Sequence, residues 1–325
     1  MLGSLVLFVA GLVLLIIGAD LFSCNAARMA CEAGVSPAAI GFFAMAFGAS
    51  LPVLFVGIAA GVTGNTDIAL GTGIGGSIAS MLLVLGITAI FYPLHLYRKP
   101  SRRGLLFVLM AIGILWIVVS DRLLDDRVLI SVISRSDGLI LLCFFFIFRG
   151  PVVSFMASLN SGAQKLPEPV KQEFGPPLKT VVGCFCLTLG ARLVVDKAEK
   201  LAGLTGISEQ VMGVVVIGAA VALPKLVVCM AAARRGYADM AVGTVIGAVF
   251  FNIFFVLGIS ATVHPMPVSP LAWADMAMLT LAAGMLFVFL FVGRVRMMGR
   301  PEGGLAVLLY LAYAGYLLHP LFALG

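Results

Sequence analysis

The chain has 325 residues, of which 62% are hydrophobic and 11% charged, where a soluble globular domain has about half and about a quarter. That excludes soluble enzymes, nucleic-acid binders and secreted disulfide scaffolds. The formal net charge of +6 reads as loop Lys and Arg following the positive-inside bias.

Apolar stretches of about twenty residues, the length a helix needs to cross a bilayer, recur along the chain and predict spans over 3–24, 37–61, 69–94, 104–120 and 137–157, then 178–196, 209–232, 240–263, 271–293 and 304–322. The first lacks a basic leader and an A-x-A cleavage site, so it is expected to be a span and not a signal peptide. The fold class is therefore an all-α polytopic membrane protein with ten transmembrane helices. Cysteines 24, 31, 143, 184, 186 and 229 lie in or beside apolar segments, where Cys behaves as a small hydrophobe. No disulfide framework, zinc site or cofactor is expected from their spacing. Histidines 95, 264 and 319 fall near span ends and read as interfacial, and no catalytic constellation of an enzyme is present.

The most polar long connection, 158–179, carries Lys165, Glu168, Lys171, Glu173, Lys179 and a run of prolines. It is expected to link a first five-helix repeat, 1–157, to a second, 180–325. Laying 18–93 over 190–265 gives about 26 identities in 76 pairs without a gap, and internal repeats decide architecture. The matches include Gly18/Gly190, Gly34/Gly206, Ser36/Ser208, Gly41/Gly213, Leu51-Pro52/Leu223-Pro224, Asp67/Asp239, Gly71-Thr72/Gly243-Thr244, Gly75/Gly247 and Pro93/Pro265.

Five spans per repeat make the two halves cross the membrane in opposite senses. Arg28, then Arg98, Lys99, Arg102 and Arg103, then Lys165, Lys171 and Lys179, then Arg234 and Arg235, then Arg294, Arg296 and Arg300 fall on one side. The other side is poorer in Lys and Arg, so the first is expected to be cytoplasmic and both termini outside. Inverted repeats with interrupted helices meeting near the midplane characterise secondary transporters. Pro52 and Pro224, deep in the second span of each half, are the expected helix breaks, because proline removes a backbone donor and frees a carbonyl one turn back. Gly71-x-x-x-Gly75 and Gly243-x-x-x-Gly247 open the third spans and suit close helix packing.

These landmarks resemble the cation/calcium exchanger superfamily, the sodium/calcium exchanger membrane region. Each half of that family carries a stretch like GTSLPE in its second span and GNxxGSNxxN in its third. This chain has GASLPV at 48–53 and GTGIGGSIAS at 71–80, then AVALPK at 220–225 and GTVIGAVFFN at 243–252. GADLFS at 18–23, GVSPAAIG at 34–41 and the Arg135-Ser136-Asp137-Gly138 and Arg300-Pro301-Glu302-Gly303 starts of the fifth and tenth spans are also similar to the family. The resemblance implies an exchanger fold and ion antiport by alternating access. It also implies that the two motif glutamates, which with Thr, Ser and Asn oxygens hold the cations, correspond here to Val53 and Lys225.

At the motif positions only Ser50, Ser77, Ser80 and Asn252 retain side-chain oxygens, so the expected transport site is lined by Ser50, Val53, Ser77, Ser80, Lys225 and Asn252. A calcium site wants six to eight oxygens, usually with carboxylates, so calcium binding in the family manner is not expected. An ionisable residue inside a span marks function or a specific partner, and Lys225 is the residue expected to carry it, as a tethered positive charge able to lose and regain a proton. Asp20, Asp196 and Glu199 are its candidate partners. The expected protein is a secondary transporter of a small inorganic ion, proton-linked through Lys225, in the lipid bilayer of a bacterial cytoplasmic (inner) membrane, and it needs no nucleic acid. Two alternatives stay open: a non-transporting membrane scaffold or regulatory homologue, and a carrier of an anion or polar solute.

Overall fold

The computed structural model describes residues 2–32, 47–95, 100–120, 131–160, 176–291 and 297–322. Residues 161–175, most of the expected linker, and 33–46, most of the first half of the second span, lie outside the described residues. Ten helices make up the described chain: α1 (Leu2–Glu32), α2 (Gly48–Thr63), α3 (Thr66–Phe91), α4 (Pro100–Val119) and α5 (Arg135–Asn160). They are followed by α6 (Pro176–Thr205), α7 (Glu209–Arg234), α8 (Ala238–Val263), α9 (Pro270–Phe291) and α10 (Arg300–Phe322). Seven of them are long and apolar enough to cross a membrane. The fold is all-α and polytopic.

The structure repeats the internal match of the sequence in three dimensions. A left-handed glycine closes α2 and α7 in the same way, Gly64 at φ 83° and Gly236 at φ 82°, a conformation that carries no Cβ penalty only for glycine. One π-helical turn interrupts α3 at Ser80–Val84 and another interrupts α8 at Asn252–Val256, the equivalent place. A third lies in α7 at Met212–Ile217. The chain stays helical through both Pro52 and Pro224. The irregularity expected at Pro224 is thus found about two to three turns earlier in α7, as a π turn and not as an unwound break.

The repeats are interlocked. Four two-residue strands, β1 (Leu94–His95), β2 (Val132–Ile133), β3 (Met266–Pro267) and β4 (Met297–Met298), pair only across the halves. Antiparallel β1·β4 joins Leu94 to Met298, and β2·β3 joins Ile133 to Met266. The final helix of each half likewise packs on the third helix of the other. A Cβ on Gly138 would lie 2.7 Å from the Gly258 carbonyl oxygen, and one on Gly303 would lie 2.6 Å from that of Gly86. This accounts for the Arg-x-(Asp/Glu)-Gly starts: glycine permits the crossing while the acid closes the helix end. Asp137 Oδ2 accepts from the Ser134 amide at 2.8 Å and from its hydroxyl at 2.6 Å, while Ser134 Oγ accepts from the Asp137 amide at 3.3 Å, the reciprocal geometry of a capping box; Glu302 Oε2 accepts from the Gly299 amide at 3.0 Å, the acid's half of the same box.

α1 and α6 lie against each other along their length, crossing at Gly18 and Gly190. A methyl at either would meet backbone at 2.8 Å, the Leu187 nitrogen and the Gly11 oxygen respectively. α6 runs past the expected end at 196 as far as Thr205. Asp196, Glu199 and Lys200 are exposed there: charge ends the apolar stretch, but the long side chains Lys and Glu are good helix formers. The deepest burial belongs to α3 and α8, whose residues 68–82 and 241–254 are enclosed on all sides. A helix apolar all round is one buried at the centre.

Candidate transport site

The central helices approach each other through glycine. A Cβ on Gly75 of α3 would stand 2.4 Å from the Val214 Cα and 2.5 Å from its carbonyl oxygen, and one on Gly218 of α7 would stand 2.8 Å from the Gly75 carbonyl carbon. Backbone contact of this kind brings the polar positions of α3 within reach of α7 and α8.

Ser50, Val53, Ser77, Ser80, Lys225 and Asn252 are all fully buried. Lys225 Nζ donates to Ser80 Oγ at 3.2 Å, and that hydroxyl donates to the Gly76 carbonyl at 2.6 Å. Asn252 Nδ2 donates to Ser77 Oγ at 3.2 Å, and Ser77 donates to the Gly73 carbonyl at 2.9 Å. Each serine thus links a residue of the second half to the backbone of the first. Ser80 and Asn252, equivalent in the two repeats, each open a π turn, an irregularity frequent at functional sites.

Between the two pairs sits Gly76. The place of its missing side chain is bounded by Val53 Cγ2 at 3.6 Å, Val221 Cγ2 at 3.6 Å and Asn252 Nδ2 at 3.8 Å. Val53 therefore meets the polar layer at Gly76, and Ser50 Oγ and Asn252 Oδ1 are buried without a hydrogen-bond partner. Buried polar atoms left unpaired are uncommon and call for an explanation such as a ligand or water. Thr72 Oγ1 and Ser260 Oγ, which sequence reasoning did not single out, are in the same condition. Phe251, the residue before Asn252 on α8, belongs to an aromatic cluster, with Phe47–Phe251 centroids 5.1 Å apart, Phe251–Phe255 4.6 Å and Phe145–Phe255 4.9 Å.

The carboxylates anticipated beside Lys225 are elsewhere. Asp20, Asp196 and Glu199 are all exposed on the protein surface, and Glu199 Oε2 accepts from Asn65 Nδ2 at 3.0 Å. Among the described residues no cluster of three or more His, Cys, Asp or Glu is arranged to hold a metal ion. The polar layer thus offers one ammonium donor, two amphoteric serines, an amide and unpaired oxygens. That set lacks the carboxylates with which a calcium cage usually offsets two positive charges.

One intramembrane ionisable residue was missed. Asp275 on α9 is fully buried and accepts from Gln210 Nε2 and from the Tyr313 hydroxyl. Its signal was available, a lone Asp inside the apolar stretch 271–293, which is a functional candidate by default.

A duplicated, interlocked ten-helix bundle with a polar layer enclosed between its halves defines an integral membrane transporter, and not an enzyme. The chain belongs to the sodium/calcium exchanger protein family, whose model matches residues 3–150 and 177–320. It is 32% identical to the Inner membrane protein YrbG of Escherichia coli over 93% of each chain. It is 26% identical to the Sodium/calcium exchanger MaX1 of Methanosarcina acetivorans, over 95% of this chain and 97% of that one. Its fold matches the solved sodium-calcium exchanger NCX_Mj, soaked with Na+ and Sr2+, at a TM-score of 0.62 and 28% identity, covering 96% of this chain and 97% of that one.

Proposed function

We propose that this protein is an ion antiporter working by alternating access around the Ser50–Val53–Ser77–Ser80–Lys225–Asn252 layer, that it does not bind calcium in the family manner, and that its exchange is proton-linked through Lys225. The observation that carries the reading is the enclosure of Lys225, fully buried and donating to Ser80 with no ion pair among the described residues. An ion out of water without a close counter-charge costs on the order of several kcal/mol, so a lysine kept there has work that an apolar residue could not do. A fixed ammonium stands in for the charge of a bound cation in one state of the cycle and surrenders its proton in another. The exchanger names of relatives support the cation, and YrbG's name supports the bacterial inner membrane as its seat. The loop charges support termini on the outer side.

The test is radiolabelled calcium uptake into sodium-loaded proteoliposomes, comparing wild type with the Val53→Glu/Lys225→Glu double variant. Uptake by the double variant alone is expected. Uptake by the wild type would refute the reading of the site, and silence from both in folded protein would favour a scaffold.

A further inference from the structure

A second buried polar cluster lies away from the central layer, at the end of the bundle where α6 turns into α7, α9 begins and α10 ends. Asp275 has no exposed surface. Its Oδ2 accepts from Gln210 Nε2 and its Oδ1 from the Tyr313 hydroxyl, while Gln210 Oε1 accepts from the Ser269 hydroxyl. Three helices thus converge on one carboxylate, and all its partners are neutral.

Those partners share a chemical property. An Arg or Lys would serve only the ionised carboxylate. Tyr and Ser hydroxyls both donate and accept, and an amide presents a donor at one end and an acceptor at the other. With the carboxylate ionised, Gln210 and Tyr313 donate to it. With a proton on it, the carboxyl O–H donates to the Tyr313 oxygen, or to the Gln210 carbonyl once the amide turns over; Ser269 then accepts from the amide. The same side chains satisfy both forms without breaking the cluster.

A cavity lies beside it, one residue or one turn away along each of the three helices. That cavity, of about 310 Å³, is lined by Ser208, Val211, Leu271, Tyr316, Leu317 and His319, among others. Val211 follows Gln210, Leu271 is one turn before Asp275 and Leu317 is one turn after Tyr313. The exposed Tyr316 and His319 mark its mouth.

The titratable groups around Asp275 are few among the described residues. α10 brings Tyr313 and Tyr310, the latter donating to the Val215 carbonyl at 3.5 Å, with Tyr316 and His319 farther out. Asp67 and Glu209 stand in the first turns of α3 and α7. α4 contributes Trp116, in ring contact with Trp273, and β4 contributes only methionines.

We propose that Asp275 is a proton-exchange site: its carboxyl takes one proton from, and returns it to, the solution at this end of the bundle through the adjoining cavity. This does not rest on the role given to Lys225 or on the cargo. The test is infrared titration of the full-length protein in lipid from acid to alkaline pH. The chain carries 15 Asp and Glu, so the readout is the wild-type-minus-variant difference: a pH-dependent protonated-carboxyl C=O band is expected in the difference against Asp275→Asn and is absent from the differences against Asp67→Asn and Glu209→Gln. Tyr313→Phe, which keeps the carboxyl and removes one donor, should shift the band. A difference against Asp275→Asn that holds no pH-dependent carboxyl band, or a band that Tyr313→Phe leaves unmoved, would overturn the proposal.

Discussion

Gly75 and Gly76 are neighbours on α3, and the structure gives them opposite responses to the same added methyl group. At Gly75 the methyl would lie 2.4 Å from the Val214 Cα and 2.5 Å from its oxygen, where ordinary contact begins at 3.4 Å. α3 and α7 must therefore part by about 1 Å, and because both obstructing atoms are backbone, no side-chain rotation relieves them. Overpacking costs about 1 to 3 kcal/mol; with the upper figure applying here and about 1 kcal/mol regained from helix propensity, the net loss is about 2 kcal/mol. At Gly76 the three nearest atoms lie at 3.6, 3.6 and 3.8 Å, so the methyl fits and Ala gains up to about 1 kcal/mol. Thermal unfolding of the two variants in the same detergent should separate their midpoints by about 6 to 12 °C, at roughly 2–4 °C per kcal/mol for chains of this order of size. A Gly75→Ala protein melting at or above Gly76→Ala would refute the backbone contact between α3 and α7, and with it the geometry that brings Ser80 to Lys225.

Two further outcomes follow from side chains already described. Lys225→Met, similar in length and without a charge to bury, should melt at or above wild type, whereas Lys225→Ala, which leaves a cavity, should lose about 2 to 5 kcal/mol; equal midpoints would contradict full burial. Asp137→Ala and Glu302→Ala each remove a helix-end acceptor worth about 1 kcal/mol. Asp137 also holds the Ser134 hydroxyl, so its variant should lose more in chemical denaturation, and the reverse order would count against the capping geometry.

The duplication was plain in the sequence because glycine and proline keep register where apolar residues interchange freely. Gly64/Gly236 recur as left-handed caps, and Gly75 makes a contact that only backbone can fill. The buried layer was likewise legible: motif positions named Ser77, Ser80, Lys225 and Asn252, and the structure hydrogen-bonds them in two pairs. The partner of Lys225 was not legible, since charge complementarity suggested an acid while the helix crossing supplies a serine. π turns leave no mark in composition, being one residue more per turn of the same apolar helix. Asp275 itself was legible as a lone acid in an apolar stretch, but its partners, Gln210 and Tyr313, lie 65 and 38 residues away, and only folding puts them together.

The exchanged strands bear on how such a chain came to exist. Among the described residues each half leaves two two-residue strands whose ladder partners lie on the other half, β1 on β4 and β2 on β3. A lone five-helix unit would thus be an unfinished object, with open edges at its strand pairs and a bare face where the other half's last helix belongs. Two copies in opposite orientation close one another by these same contacts. The described contacts that close the two halves are made by the strand pairs and the crossed glycines, and the described residues on either side of the connection, up to Asn160 and from Pro176, take no part in those strand pairs.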